Sequence, residues 1–246
     1  MTLKLAVLFL TPLLSGLLVF MVPRHKSSNY RLLLIFAGAY LFSITVIHIL
    51  PELYRQSDSL SFLGVFVLLG FFLQQFLEYF TSGVEHGHLH SRVGGSNQGI
   101  SALLLLIALC LHAFLEGGML AQGGDLTEVY DHDAILFGIA LHRAPAAFAL
   151  MTVLVVQLPS RRRAIPYLLI FSIAAPAGLM LCTYLANASI LSSAGLIYLY
   201  ALVSGNFLQI STTIVFESSP GHTFDARKFA VALFGAAVAI AVEHAL

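Results

Sequence analysis

Gly99 to Ala121 reads GISALLLLIALCLHAFLEGGMLA, an apolar run long enough to cross a bilayer as one helix, broken near its middle by His112 and Glu116. Four residues apart on a helix is the same face, one turn up. An imidazole nitrogen and a carboxylate oxygen side by side are a ready pair of metal ligands. A carboxylate inside an apolar span is a functional hypothesis by default. The plainer reading is a neutral, hydrogen-bonded Glu116 beside a packed histidine. It loses ground because a second span carries ionisable residues at the same depth.

Composition sets the class. The chain has 246 residues, 59% hydrophobic and 10% charged, against roughly a quarter charged in a soluble domain. This is the composition of an all-α polytopic membrane protein. A formal net charge of zero gives no global basic field to attract nucleic acid. Cys110 and Cys182 both fall in apolar runs, so a disulfide framework is not expected. The run Leu3 to Val22 is too long for a signal-peptide core and reads as a retained span.

A window of roughly twenty apolar residues per crossing predicts eight spans, at 3–22, 31–53, 60–81, 100–121, 134–157, 165–187, 191–216 and 228–246. They form a single transmembrane domain over residues 1–246, with the histidine-containing stretch 82–99 as its longest connection. Arg24, Lys26, Arg31, Arg92, Arg161, Arg162, Arg163, Arg227 and Lys228 border odd-numbered loops, against Lys4 and Arg55 on the other side. That bias puts the odd loops in the cytoplasm and both termini outside, in a cell membrane, inner or plasma. The fourth loop then faces outward with Asp125, Glu128, Asp131 and Asp133, an acidic mouth that concentrates cations.

In the fifth span His142 lies about 12 Å from the outer end and in the fourth His112 about 14 Å, at the helical rise. Beside His142 stands Arg143, a permanent cation whose obvious partner is Glu116, and Pro145 is expected to open the helix by removing a backbone donor. Two imidazoles and a carboxylate suit zinc, with iron or manganese second, better than magnesium or calcium. No Walker A sequence is present, so a gradient rather than ATP hydrolysis is the expected driver.

Three segments carry a resemblance: His48-Ile49-Leu50-Pro51-Glu52, His112-Ala113-Phe114-Leu115-Glu116-Gly117, and His142-Arg143-Ala144-Pro145. They resemble the signature segments of the ZIP (Zrt/Irt-like) family of divalent metal transporters. The Glu85-His86-Gly87-His88-Leu89-His90 stretch in the third loop fits the same plan. The resemblance implies two inverted three-helix repeats flanking a central pair, spans four and five, whose polar residues bind metal midway across the membrane. Spans two and seven run oppositely and end in Glu52 outside and Glu217 inside, in keeping with such repeats.

Family members with a two-metal centre carry further ligands where this chain has Ala113, Arg143, Ala146 and, before Pro176, Ala175. The resemblance therefore implies one metal, held by His112, Glu116, His142 and water, with Arg143 as counter-ion in place of a second metal. His48 and Glu52, where Pro51 is expected to end the second span, are expected at the entrance. His86, His88, His90, Glu217 and His222 are expected on the cytoplasmic side.

The function this implies is transport of a divalent cation, zinc first, toward the cytoplasm, and not catalysis. An intramembrane metal-dependent hydrolase and a metal-binding member that does not transport are the alternatives. The expected partners are the metal ion, the lipid bilayer and, as an assembly left open, a second copy of the chain.

Overall fold

The computed structural model describes residues 1–21, 27–55, 60–81, 98–121, 132–217 and 225–245. Among these, eight long helical elements follow one another without a strand. They are α1 (Thr2–Leu17, extended by the 3-10 turn Leu18–Phe20), α2 (Ser27–Ile44, the π-helical turn Thr45–Ile49, then Leu50–Arg55), α3 (Leu60–Thr81), α4 (Gln98–Met119), α5 (His132–Gln157), α6 (Ala164–Asn187), α7 (Ser193–Glu217) and α8 (Ala226–Ala245). Seven of them, α1 to α7, are long and apolar enough to cross a membrane. The eighth, expected as a span, has Arg227 and Lys228 at one end and Glu243 at the other, which shortens its uninterrupted apolar stretch. The protein is an integral membrane protein of all-helical class.

Lipid exposure explains the surface of α3. Phe62, Val65, Leu69, Phe72, Phe76 and Tyr79 recur at helical spacing and are all exposed, whereas Leu63, Gln74 and Leu77 on the other side are buried. An apolar exterior with polar residues turned inward is what a lipid solvent selects.

The most extensive pairings are α3 with α7, α4 with α6, α2 with α8 and α1 with α5. Small residues allow two of them. A Cβ on Gly70 would overlap the Leu202 carbonyl and one on Gly205 the Val67 carbonyl; Gly117 and Gly178 stand in the same relation to Ala175 and Phe114. Exchanging α1 with α6, α2 with α7, α3 with α8 and α4 with α5 converts α1–α5 into α6–α4, α3–α7 into α8–α2 and α2–α5 into α7–α4, all of which pack. The members of each exchanged pair stand an odd number of helices apart, so they run oppositely when successive helices reverse direction. That is the packing of an inverted repeat around a central pair.

Two proline expectations are corrected. Helix α5 runs unbroken through Pro145, and α2 continues past Pro51 to Arg55. In α5 the backbone beside the proline is tied to a neighbour, for Ser15 of α1 donates its hydroxyl to the Ala144 carbonyl. In α2 the π turn resets the register, so Pro51 falls in the first turn of the following segment, where a missing N–H is tolerated. Thr45 opens that turn, donating to the Leu41 carbonyl at 2.7 Å.

Candidate metal centre

Helices α4 and α5 bring His112, Glu116 and His142 together. Each offers one ligand atom, and these atoms lie within 4.8 Å of one another. All three residues are 3% exposed or less. The imidazoles meet edge to face, centroids 5.8 Å apart at 87°. Tetrahedral zinc with bonds of about 2.0–2.2 Å separates its ligand atoms by roughly 3.4 Å, so torsional shifts of about an ångström would close the set.

The carboxylate is divided between two neighbours. Glu116 Oε1 lies 3.1 Å from His112 Nε2, one helical turn away. Its Oε2 accepts from Arg143 Nη1 at 3.3 Å, across the α4–α5 interface. One oxygen faces the imidazoles and the other is taken by a guanidinium, which favours one-oxygen binding of a metal over two-oxygen binding. The arrangement also leaves the resting pair neutral, the condition under which a charge is tolerated in such an interior.

Arg143 is 1% exposed and fixed from a third helix. Its Nη2 donates to the Phe171 carbonyl of α6 at 3.2 Å, and its guanidinium carbon sits 4.7 Å from the centre of the Phe171 ring. A planar guanidinium makes both contacts at once, one through its N–H and one through its face. Ala113, Ala146 and Ala175 are buried and apolar. Ala175 presses its carbonyl on Gly117, the residue after Glu116, so α6 reaches the centre through backbone.

Among the described residues, none of the other sequence-predicted ones joins this ligand set. His48 sits on the π turn of α2 with Nδ1 2.9 Å from Glu243 Oε1 of α8, side chains 13% and 27% exposed. Glu52 accepts from Arg55 Nη1 of its own helix at 3.1 Å. Asp133 is exposed in the first turn of α5. Glu217 ends α7; its side chain, and His86, His88, His90, His222, Asp125, Glu128 and Asp131, lie outside the described residues. Sequence reasoning missed Phe171, Ser15 and Glu243. Of these only Glu243, an acid near the end of an apolar stretch, carried a signal of its own.

Comparison with known proteins finds similarity to zinc transporters. The family model described as ZIP Zinc transporter matches residues 81–243. Zinc transporter ZIP9-A of Xenopus laevis is 27% identical over 173 residues, 68% of this chain and 55% of that protein. Zinc transporter ZIP9 of Xenopus tropicalis shows the same identity and coverage. ZIP9 of Micropogonias undulatus is 27% identical over 168 residues, 65% of this chain and 52% of its own length. The chain spans about half the length of the curated relatives it matches.

Proposed function

The chain belongs to the ZIP zinc transporter family, and from that premise we propose that it carries a divalent transition-metal cation, zinc first and iron or manganese second, toward the cytoplasm through one site at His112, Glu116 and His142. The observation that carries the reading is the divided carboxylate: one Glu116 oxygen beside His112, the other on Arg143.

Each residue has a part in the proposed cycle. The two imidazoles and Glu116 Oε1 bind the ion while water completes its shell. Arg143 balances Glu116 when the site is empty, so the returning site exposes no bare charge to the apolar interior. With the ion present, the same guanidinium repels it and holds affinity down, which favours release over storage. The ring and carbonyl of Phe171 keep the guanidinium in place throughout.

The direction rests on the placement of basic residues. Arg161 to Arg163 between α5 and α6, and Arg227 with Lys228 at the start of α8, mark the cytoplasmic side in this reading and put both termini outside. His48 with its partner Glu243, and Glu52, belong to the outer approach; His86, His88, His90, Glu217 and His222 to the inner one. Among the described residues no further carboxylate, histidine or cysteine joins the three ligand atoms.

Growth of cells lacking their own zinc uptake tests the proposal. Expression of this chain should restore growth in low zinc, and the His142→Ala chain, present in the membrane at equal amount, should not. Equal rescue by both would overturn it.

A further inference from the structure

Two tyrosines from opposite halves of the repeat hold the same end of the metal-bearing helices. Tyr40 of α2 and Tyr200 of α7 are 0% and 1% exposed. Tyr40 donates its hydroxyl to the Ala134 carbonyl in the first turn of α5 at 3.3 Å. Tyr200 donates its own to the Ala121 carbonyl, just past the end of α4, also at 3.3 Å. The Tyr40 ring packs edge to face on Phe137, centroids 5.3 Å apart at 81°, and against Gly138, where a Cβ would lie 3.1 Å from it. Leu199, the neighbour of Tyr200, reaches Gly118 of α4. A phenol buried in an apolar interior needs an acceptor, and each of these finds one on a helix of the central pair.

The repeat alone does not produce this pair. Exchanging α2 with α7 and α4 with α5 reverses direction, and so carries a bond at one end of the bundle onto the other end. Both tyrosine bonds instead lie at one end, where α4 finishes and α5 begins.

The buried apolar residues divide in the same sense. At the tyrosine end one core draws on all eight helices, with Tyr40 of α2, Leu120 of α4, Ile135 of α5 and Tyr200 of α7 among its members. At the other end there are two cores. One holds Leu105 of α4, Leu154 of α5 and Leu168 of α6, with residues of α1 against it and, among the described residues, none from α2, α3, α7 or α8. The second joins Leu34 of α2 to Ile210 and Ile214 of α7. Helices α2 and α7 are therefore fused to the central pair at the end that the tyrosines hold, and packed apart from it at the other. Leu120 and Ile139, both wholly buried, stand between the tyrosine end and the ligands Glu116 and His142 of their own helices.

We propose that Tyr40 and Tyr200 are the two halves of a latch that keeps the metal centre shut toward the end where α4 finishes, and that both hydroxyl bonds break when the centre opens to that side. This rests on the transport reading above, in which that end is the outer one and the cation enters from it. At 3.3 Å both bonds are longer than the roughly 2.7–2.8 Å of a strong hydroxyl bond, so each is weak enough to break in every cycle. Two such bonds set the balance between shut and open forms without preventing their exchange. Because both act on one opening, their effects on that balance multiply.

Cys182 of α6 is a native reporter of the opening. Its Sγ and the Leu199 side chain of α7 both lie against Gly118 of α4, and it belongs to the core at the latched end, so lifting α7 from α4 uncovers the thiol. With Cys110→Ala as background it is the one cysteine of the chain. The purified full chain in lipid nanodiscs is treated with a charged, membrane-impermeant maleimide, and the rate of Cys182 alkylation is measured. Tyr40→Phe and Tyr200→Phe, which keep the ring and remove the hydroxyl, should each label at least about threefold faster than the background chain. The double variant should show the product of the two effects. Ser211→Ala, which removes a buried hydroxyl bonded only within α7, should label at the background rate. If one Phe variant does not fold, the other carries the test. Unchanged labelling in every folded Phe variant, or equally fast labelling in Ser211→Ala, would overturn the latch. The readout needs no transport, so faster labelling without zinc influx in any chain would uphold the latch and strike the transport reading alone.

Discussion

Arg143 of α5 reaches Glu116 of α4 with Nη1 3.3 Å from Oε2, while the other oxygen of the same carboxylate lies 3.1 Å from His112. In the proposed reading one oxygen is for the metal and the other for a permanent counter-charge. Arg143→Ala should therefore lower stability by about 3–5 kcal/mol, because one buried charge is left alone. Arg143→Lys should recover part of this, losing the paired contacts with Phe171. Thermal unfolding in detergent, compared across the three chains, measures both effects.

In the same reading the pair limits the site to one metal. Metal analysis of the purified wild type should give one zinc between α4 and α5, and Arg143→Asp, which exchanges a cation for a carboxylate, should give two. Two ions in the wild type would show that the guanidinium does not exclude a second metal.

Close packing behind the centre should matter as much as its ligands. A Cβ at Gly117 overlaps the Ala175 carbonyl, so Gly117→Ala must push α4 from α6 and move Glu116 with it. We expect a stability loss of about 1–3 kcal/mol and most of the zinc uptake gone. Leu111→Ala, on the exposed face of the same helix, should leave uptake near the wild-type level.

The cluster of His112, Glu116, His142 and Arg143 was legible in the sequence because each of its residues is costly in an apolar span. His112 and Glu116 declare themselves by helical spacing, His142 and Arg143 by depth. The contribution of α6 was not legible, since a backbone carbonyl and a phenylalanine ring carry no mark in a membrane sequence rich in both. The partner of His48 was hidden by distance, for Glu243 lies 195 residues away. The helices follow from hydropathy, whereas the π turn at Thr45–Ile49 does not: one extra residue in a turn leaves the apolar pattern unchanged.

His48 and Glu243 should act as a unit at the outer approach. His48→Ala and Glu243→Ala are each expected to raise the half-saturating zinc concentration several-fold without changing the maximal rate, and the double variant should match either single one. Additive effects would mean that the two residues serve separate steps.

Removal of residues 85–90, with His86, His88 and His90, should lower metal capture or regulation but keep flux. Zinc uptake by the shortened chain, at equal membrane abundance, checks this; complete loss would place the loop in the main path.

The most direct measurement is zinc influx into liposomes containing only this purified chain and a zinc-sensitive dye. The wild type should give saturable influx, and His112→Ala, Glu116→Ala and His142→Ala should each fall to the level of empty liposomes. Influx of wild-type size in the His112→Ala chain would contradict the central claim that the cation passes through the centre between α4 and α5.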